Sequence, residues 1–207
     1  MITLKRATPE AVRYACLNFH YAKAIPSVGY AYNVYNENNE WCGVIIFGIG
    51  ANPNIANPFN MKQGEVMELL RVALNGKQPC TSECVMAAVR QLRKDAPQIK
   101  MLVSYADMDQ NHFGTIYQAT NWIYLGDMNV GGRGGFIING KKMHPKSVHS
   151  RGWKEQEEWL REHVDKDAKI IKTKGKRKYI YIYDKKLRKE WQKKALPYPK
   201  KTGGDTH

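Results

Sequence analysis

Alternation of apolar and polar residues predicts strands in several short segments of the chain. Tyr30–Tyr35 and Trp41–Phe47 are separated by turn-like residues, which predicts a β-hairpin. Glu65–Leu74 and Met101–Tyr105 are apolar enough to predict two further strands. Shorter strands are predicted at Ile2–Leu4, Ile123–Gly126 and Phe136–Ile138.

Helical segments alternate with these strands. Thr8 and Pro9 predict a helix start, because a threonine caps the first turn and a proline preorganises it. A second helix is predicted from a cap at Ser82 to about Lys94, and a third over Asp109–Thr120. The order β-α-β-β-β-α-β-α-β predicts an α/β fold with a mixed sheet and helices on both faces.

The character of the chain changes after Gly140. Trp153–His163 predicts a charged amphipathic helix and Lys185–Lys194 a basic one. The segment from Ile170 to Tyr183 predicts a β-hairpin whose tip is the basic stretch Lys172–Lys178. We therefore expect a catalytic core over residues 1–140, a basic extension packed on it over 141–200, and a disordered tail over 201–207.

Charge supports this division. The net charge is +14, yet residues 1–140 hold 12 Lys/Arg against 10 Asp/Glu, whereas residues 141–207 hold 21 against 9. Such asymmetry favours a polyanionic partner, and aromatic residues among the cations favour nucleic acid over a merely solvated surface. We expect double-stranded DNA as the partner, bound by the predicted tip residues Lys174, Lys176, Arg177 and Lys178.

Other features of composition narrow the class of protein. No apolar run approaches the roughly 20 residues that a membrane span needs, and the first residues lack the apolar region of a secretory signal. Cys16, Cys42, Cys80 and Cys84 do not form a zinc pattern, so reduced thiols are expected. These observations predict a cytoplasmic protein without a membrane partner.

Two segments carry candidate chemistry. The junction before the second helix could bind a phosphate, with Lys77, Thr81 and Ser82 as added donors; the alternative is an ordinary connection. In the segment that follows the strand Met101–Tyr105, Asp107 could be a general base and Tyr117 a general acid. The alternatives are a helix cap for Asp107 and a core aromatic for Tyr117.

The second segment resembles the last conserved part of the GCN5-related N-acyltransferase (GNAT) fold. Gln110 lies seven residues before Tyr117, and Asn121-Trp122 stands where that family has a glycine and an aromatic residue. The resemblance implies a GNAT-like fold, acetyl-CoA or a related acyl donor, and Tyr117 as the proton donor to the leaving thiolate. The usual glycine-rich pyrophosphate loop is replaced by Asn75–Thr81.

A closer resemblance is to phage Mom-type DNA modification proteins. It rests on His20-Tyr21, Gly43–Gly48, Glu68–Leu74, Tyr105–Trp122 and Tyr198–Lys200. That likeness implies a transferase that converts adenine in phage DNA to an N6-carbamoylmethyl derivative and so blocks host restriction. The functional positions it implies are Tyr21, Arg71, Ser82, Asp107 and Tyr117.

The exocyclic amine of adenine is a weak nucleophile, and the base must leave the duplex stack to be reached. Tyr21, Trp122 or Tyr105 could stack on it, although each could equally be core. Arg71 interrupts an apolar strand and needs a partner. That partner is either Glu68 or Asp107, or else a bound phosphate or carboxylate.

Further substrate contacts are expected from His20 and His112, which lie in the matching segments, and from Ser104, which immediately precedes one of them. Family likeness makes iron conceivable, yet the histidine spacing supports no metal site, and none is predicted. Two other functions stay open on the sequence: an acyl-CoA-dependent N-acyltransferase acting on a protein or small amine, and a DNA-binding protein without catalysis.

Overall fold

A computed structural model describes residues 2–50 and 52–200, so the predicted disordered tail, 201–207, lies outside the described residues. Its strands are β1 (Thr3–Arg6), β2 (Tyr30–Tyr35), β3 (Trp41–Gly48), β4 (Val66–Leu74), β5 (Met101–Asp107), β6 (Ile123–Met128), β7 (Arg133–Ile138), β8 (Lys141–Met143), β9 (Lys169–Lys172) and β10 (Lys176–Ile182). Its helices are α1 (Pro9–Asn18), α2 (Thr81–Asp95), α3 (Thr115–Gln118), α4 (Pro145–His149), α5 (Glu157–His163) and α6 (Lys185–Gln192).

The strands form two sheets. A seven-stranded mixed sheet has the order β1-β2-β3-β4-β5-β10-β6, and a three-stranded sheet has the order β8-β7-β9. The predicted alternation of strands and helices from β1 to β6 is confirmed, as is the mixed α/β class. Among the described residues, no helix has the length and apolar character that a membrane crossing requires.

The described chain separates into two compact units. The first holds residues 2–50, 52–104, 114–125 and 179–198, and the second holds 105–113, 126–178 and 199–200. Strands β5, β6 and β10 contribute residues to both units. The boundary expected after Gly140 stays a prediction.

The core of the first unit is built on β3, which is buried from Cys42 to Gly48. Such burial is typical of a central strand covered on both faces. Val44 and Ile46 pack against the apolar side of α1, including Cys16. On the opposite face, Tyr32 lies beside Ile45 and donates a hydrogen bond of 2.9 Å to Asp95 at the end of α2. Helices therefore cover both faces, as predicted.

The second unit has its own apolar cluster. Phe136 and Ile138 of β7 are buried with Leu160 of α5 and with Val148 and Ala168. Phe136 also lies opposite Met143 of β8 and Ile170 of β9 in the antiparallel ladders. Burying each large aliphatic or aromatic side chain here contributes about 2 kcal/mol.

The hairpin predicted between Ile170 and Tyr183 is wrong. β9 pairs with β7 in the small sheet, whereas β10 lies between β5 and β6 in the large one. The chain leaves one sheet for the other at Gly175, whose φ of +100° favours glycine. Lys172–Lys178 is therefore a crossing between two sheets and does not form a hairpin tip.

The helix predicted over Asp109–Thr120 is interrupted. A single 3-10 turn at Met108–Gln110 ends at Asn111 in the left-handed region, and α3 begins only after Gly114, which is also left-handed. A Cβ at Gly114 would collide with the Tyr179 ring. Close packing against β10 therefore outweighs the helical tendency of this segment.

We expect Gly114→Ala to lower the free energy of unfolding by about 2 kcal/mol or more, because it adds a steric clash to backbone strain. The matched control is Gly76→Ala, which has a similar φ of +88° but places its Cβ more than 4 Å from any described atom beyond its two chain neighbours. The control should cost about 1 kcal/mol. Urea denaturation measures both, and equal losses would contradict the packing argument.

Candidate active site

The parallel backbone pairing between β4 and β5 ends partway along the two strands, within the first unit. The parallel register pairs Val66–Glu68 with Met101–Val103. At the next position, contact is made by a side chain, because the Ser104 hydroxyl donates to the Leu69 carbonyl at 3.0 Å. A side chain thus replaces the backbone ladder partway along two parallel strands, where the paired register between them ends.

A chain of hydroxyl groups continues from this point. The Tyr117 hydroxyl lies 2.7 Å from the Ser104 oxygen. Ser104 has one proton and gives it to Leu69, so Tyr117 is the donor in the pair. Burial raises the pKa of Tyr117 to about 12. Tyr117 therefore keeps its proton at neutral pH.

Aromatic packing fixes the Tyr117 ring. The ring centroids of Trp122 and Tyr179 lie 5.1 and 5.0 Å from that of Tyr117, and Gln118 donates to the Tyr179 hydroxyl at 3.3 Å. Tyr117 is 7% exposed and Ser104 is 1% exposed. Tyr117 thus has the surroundings of a core aromatic residue, which was the alternative to a catalytic role. Ser104 is too deeply buried to make the expected contact with DNA.

Trp122 is also misplaced by the sequence prediction. Its side chain is fully buried, and Tyr198 donates to its carbonyl at 2.6 Å. A ring with no exposed face cannot stack on an extruded base, so Trp122 is a core residue. Tyr198, in the matching segment Tyr198–Lys200, therefore binds the backbone immediately before β6.

Arg71 lies beside a β-bulge in β4. The ladder pairs Ile46 with Arg71 and Phe47 with Leu69, leaving Leu70 as the extra residue. Arg71 Nη1 donates to the Leu70 carbonyl at 2.7 Å, and its buried Nε has no hydrogen-bond partner among the described residues. Arg71 thus bonds to backbone, and one donor of this half-buried cation stays unsatisfied.

The start of α2 differs from its prediction. Cys80, not Ser82, occupies the N-cap position, and it makes no side-chain capping bond. The Ser82 hydroxyl lies 3.1 Å from the Cys80 sulfur, and Thr81 accepts a bond of 3.0 Å from Gln78. The hydrogen bond with the Ser82 hydroxyl lowers the pKa of the Cys80 thiol. A cysteine just before the helix was the signal that sequence reasoning missed.

Lys77 was expected to add a donor at the same junction. Its Nζ lies 3.7 Å from Glu40 Oε1, and both side chains are largely exposed. Its backbone N–H bonds to Asn75 and its carbonyl accepts from Asn36. Exposed ion pairs contribute little, so the Lys77 side chain can turn toward another anion at small cost.

His20 and Tyr21 follow α1 on the surface. Their rings are stacked with centroids 4.4 Å apart, and Tyr21 is 47% exposed. His20 Nδ1 accepts a hydrogen bond from the Ala22 N–H, which identifies it as the unprotonated ring nitrogen. This pair offers an aromatic face to solvent, as base stacking would need.

In the second unit, Asp107 caps the 3-10 turn that follows β5. Its Oδ1 accepts from the Asp109 N–H at 3.0 Å, so the capping alternative describes one of its contacts. Asp109, which the sequence analysis did not identify, binds the segment Lys172–Lys178, here called the basic crossing. It accepts from the Thr173 hydroxyl at 2.6 Å and from the Lys174 N–H at 2.8 Å, and these bonds lower the pKa of Asp109.

The four predicted DNA-binding cations have different surroundings. Lys174 and Lys176 are exposed, whereas Lys178 is half-buried and burial lowers its pKa. Arg177 donates to the His112 carbonyl at 2.9 Å and covers the Phe113 ring at 4.6 Å. The Arg177 side chain is only 13% exposed. Arg177 therefore stabilises the unit, and the predicted contact of its side chain with DNA is wrong. His112 itself is exposed.

Within the described ranges, no group of three or more histidine, cysteine, aspartate or glutamate residues is arranged to hold a metal ion.

Solved structures share this fold. A structure provisionally described as a phosphinothricin N-acetyltransferase has a TM-score of 0.52 at 9% identity and covers 89% of this chain and 100% of its own. The spermidine/spermine N-acetyltransferase SpeG from Vibrio cholerae, solved with manganese ions, has a TM-score of 0.50 at 9% identity, covering 91% of this chain and 96% of its own. The predicted GNAT-like fold is confirmed.

The family follows from sequence comparison. The model of the Mom protein family matches residues 1–200. The methylcarbamoylase mom of Escherichia phage Mu is 24% identical over 190 residues, which cover 87% of this chain and 76% of that protein. The chain belongs to the Mom protein family. Together the comparisons support an enzyme of the transferase class.

We expect Tyr117→Phe to reduce the rate at which the free energy of unfolding falls as the pH rises above about 10. The raised pKa of Tyr117 means that the unfolded chain ionises first, so this contribution is complete below about pH 10 and is lost as pH rises toward about 12. The slope of unfolding free energy in this window should fall by about 1 kcal/mol per pH unit. Urea denaturation from pH 8 to 11 measures it, and an unchanged slope would show that Tyr117 ionises normally.

Asp109→Ala should release the basic crossing, because two charge-assisted hydrogen bonds are lost. We expect tryptic cleavage after Lys174 or Lys176 to become about tenfold faster. Asp167→Ala is the matched control, since it removes an exposed carboxylate from the same unit. Mass spectrometry of timed digests locates the cuts. Equal cleavage of both variants would mean that Asp109 does not restrain the segment.

Proposed function

We propose that this protein is a phage DNA modification enzyme that converts adenine in DNA to N6-carbamoylmethyladenine and thereby protects phage DNA from host restriction. Membership of the Mom family over residues 1–200, together with a relative named as a methylcarbamoylase, carries the proposal. The strong positive charge of the last third of the chain supports double-stranded DNA as the partner.

The first unit would hold an activated donor. The unsatisfied Nε of Arg71 fits an anionic group, and the start of α2 lacks a side-chain cap, so its first-turn N–H groups also fit one. Lys77, Thr81 and Ser82 stand at the same helix start. Bound there, a coenzyme A-type donor would supply a carbon group activated by a thiolate leaving group. The identity of the two-carbon amide donor is a separate question, which product analysis addresses.

Tyr117 is suited to the general-acid role in this unit. Its hydroxyl keeps its proton, and Ser104 and Leu69 define the direction of that proton. The proton can reach a departing group if the hydroxyl turns away from Ser104, or if Ser104 passes on its own proton while receiving that of Tyr117. Tyr21, with its exposed stacked ring, is the residue that we assign to contact with the adenine base, and His20 positions it.

Asp107 would orient or accept the proton of the adenine amine. One of its oxygens caps the 3-10 turn, and a carboxylate has further lone pairs for a second bond. Lys174 and Lys176, exposed in the same unit, would contact the DNA backbone together with His112. The described residues do not fit a metal centre built from three protein ligands, so no step is assigned to iron.

Asp107→Asn should abolish modification while preserving the fold, because an asparagine oxygen can still cap the turn but cannot act as a base. We expect the modified deoxyadenosine in cellular DNA to fall at least about 100-fold with this variant, and to fall similarly with Tyr117→Phe. Asp167→Ala should leave the product level unchanged. Mass spectrometry of digested nucleosides measures the product.

Other outcomes would contradict the proposal. Unchanged nucleosides in cells that express the wild-type protein would argue for DNA binding without catalysis. Acylation of a free amine from an acyl-CoA, without DNA, would favour the alternative N-acyltransferase function. Full activity of Asp107→Asn would remove Asp107 from the mechanism and leave the family function intact.

A further inference from the structure

The turn between β6 and β7 exposes apolar side chains in the basic second unit. Val130 is 64% exposed and Met128 is 43% exposed. The turn itself spans Asn129 to Gly132. Adjacent exposed apolar groups rimmed by polar residues mark contacts with a partner.

This turn is held in a fixed shape. Thr173 of the basic crossing bonds to it twice, accepting from the Gly131 N–H and donating to the Gly132 carbonyl, both at 2.9 Å. Asp109 binds the Thr173 hydroxyl from the other side. The apolar tip is therefore preorganised, which reduces the entropy that binding would cost.

Cations flank the apolar tip. A Cβ added at Gly175 would meet Val130 Cγ2 at 3.0 Å and Val130 Cα at 3.2 Å, so the backbone of Gly175 lies directly against Val130. Lys174 and Lys176, the neighbours of Gly175 in the chain, are both exposed. An isopropyl group thus projects beside a backbone that carries an exposed lysine on each side.

From this arrangement we infer that Val130 is a wedge that enters the base stack of duplex DNA while Lys174 and Lys176 contact the flanking phosphates. Apolar side chains inserted between bases occur in proteins that deform DNA, and a base taken out of the stack leaves an apolar gap to fill. A purely electrostatic contact would need no exposed valine at this place. The inference rests on the proposed function, in which DNA is the substrate.

The test compares two duplexes of equal length, one intact and one with an abasic site replacing an adenine nucleotide. Binding of the full chain is measured by fluorescence anisotropy at one fixed salt concentration. We expect the wild-type protein to bind the abasic duplex about tenfold more tightly, because its gap accepts an apolar group without unstacking. Val130→Ser should bring the ratio of the two affinities close to one, whereas Val130→Ile should preserve it.

Two further variants separate the contributions. Ile49→Ser, which removes an apolar side chain that is 52% exposed in the first unit, should retain the ratio. The double variant Lys174→Ala with Lys176→Ala should weaken binding to both duplexes. It should also reduce the slope of log affinity against log salt by about two. Unchanged thermal melting of each variant checks the fold.

The outcomes distinguish the wedge from the function on which it rests. Equal affinities of the wild-type protein for the two duplexes, or an unchanged ratio in Val130→Ser, would overturn the wedge and leave DNA modification standing. Failure of the wild-type protein to bind either duplex would overturn both proposals.

Discussion

The chain of hydrogen bonds from Tyr117 through Ser104 to the Leu69 carbonyl is the constraint on which the candidate active site depends. Each hydroxyl has one proton, and the backbone acceptor at its end sets the direction of both. The same bonds connect α3, β5 and β4 where the parallel ladder ends after Glu68. Inside the first unit, one polar chain thus compensates for the missing ladder contact and presents a protonated phenol at that point.

Arg71 is a second polar residue at this position in the sheet whose hydrogen bonding is incomplete. A guanidinium with one buried, unsatisfied donor costs free energy, and protein interiors rarely tolerate this without a function. The bulge at Leu70 shifts by one residue the alternation of side chains between the two faces of β4. Arg71 therefore occupies a position where an apolar side chain would stabilise the unit better. An anionic ligand would satisfy the free Nε and offset the cost.

The second unit divides its cations between structure and surface. Arg177 contacts a carbonyl, an aromatic ring and a nearby carboxylate. Lys174 and Lys176 are exposed, and the Lys174 ammonium group donates to Asn111 at 3.2 Å. Arginine is suited to the first role by its planar group with several donors, and lysine to mobile phosphate contact. Asp109 lets these lysines project from an ordered segment, because it binds backbone and hydroxyl groups of that segment.

The sequence by itself determined the order of strands and helices from β1 to β6, the presence of helices on both faces of the sheet, and the concentration of charge in the last third. These depend on local periodicity, capping and composition, which are properties of short stretches. Tertiary structure alone decided that β9 and β10 enter different sheets, that Trp122 and Ser104 are buried, and that Asp109 holds the basic crossing. Each of these depends on partners distant in the chain, and the free energy of strand pairing and burial outweighs what the local pattern favours.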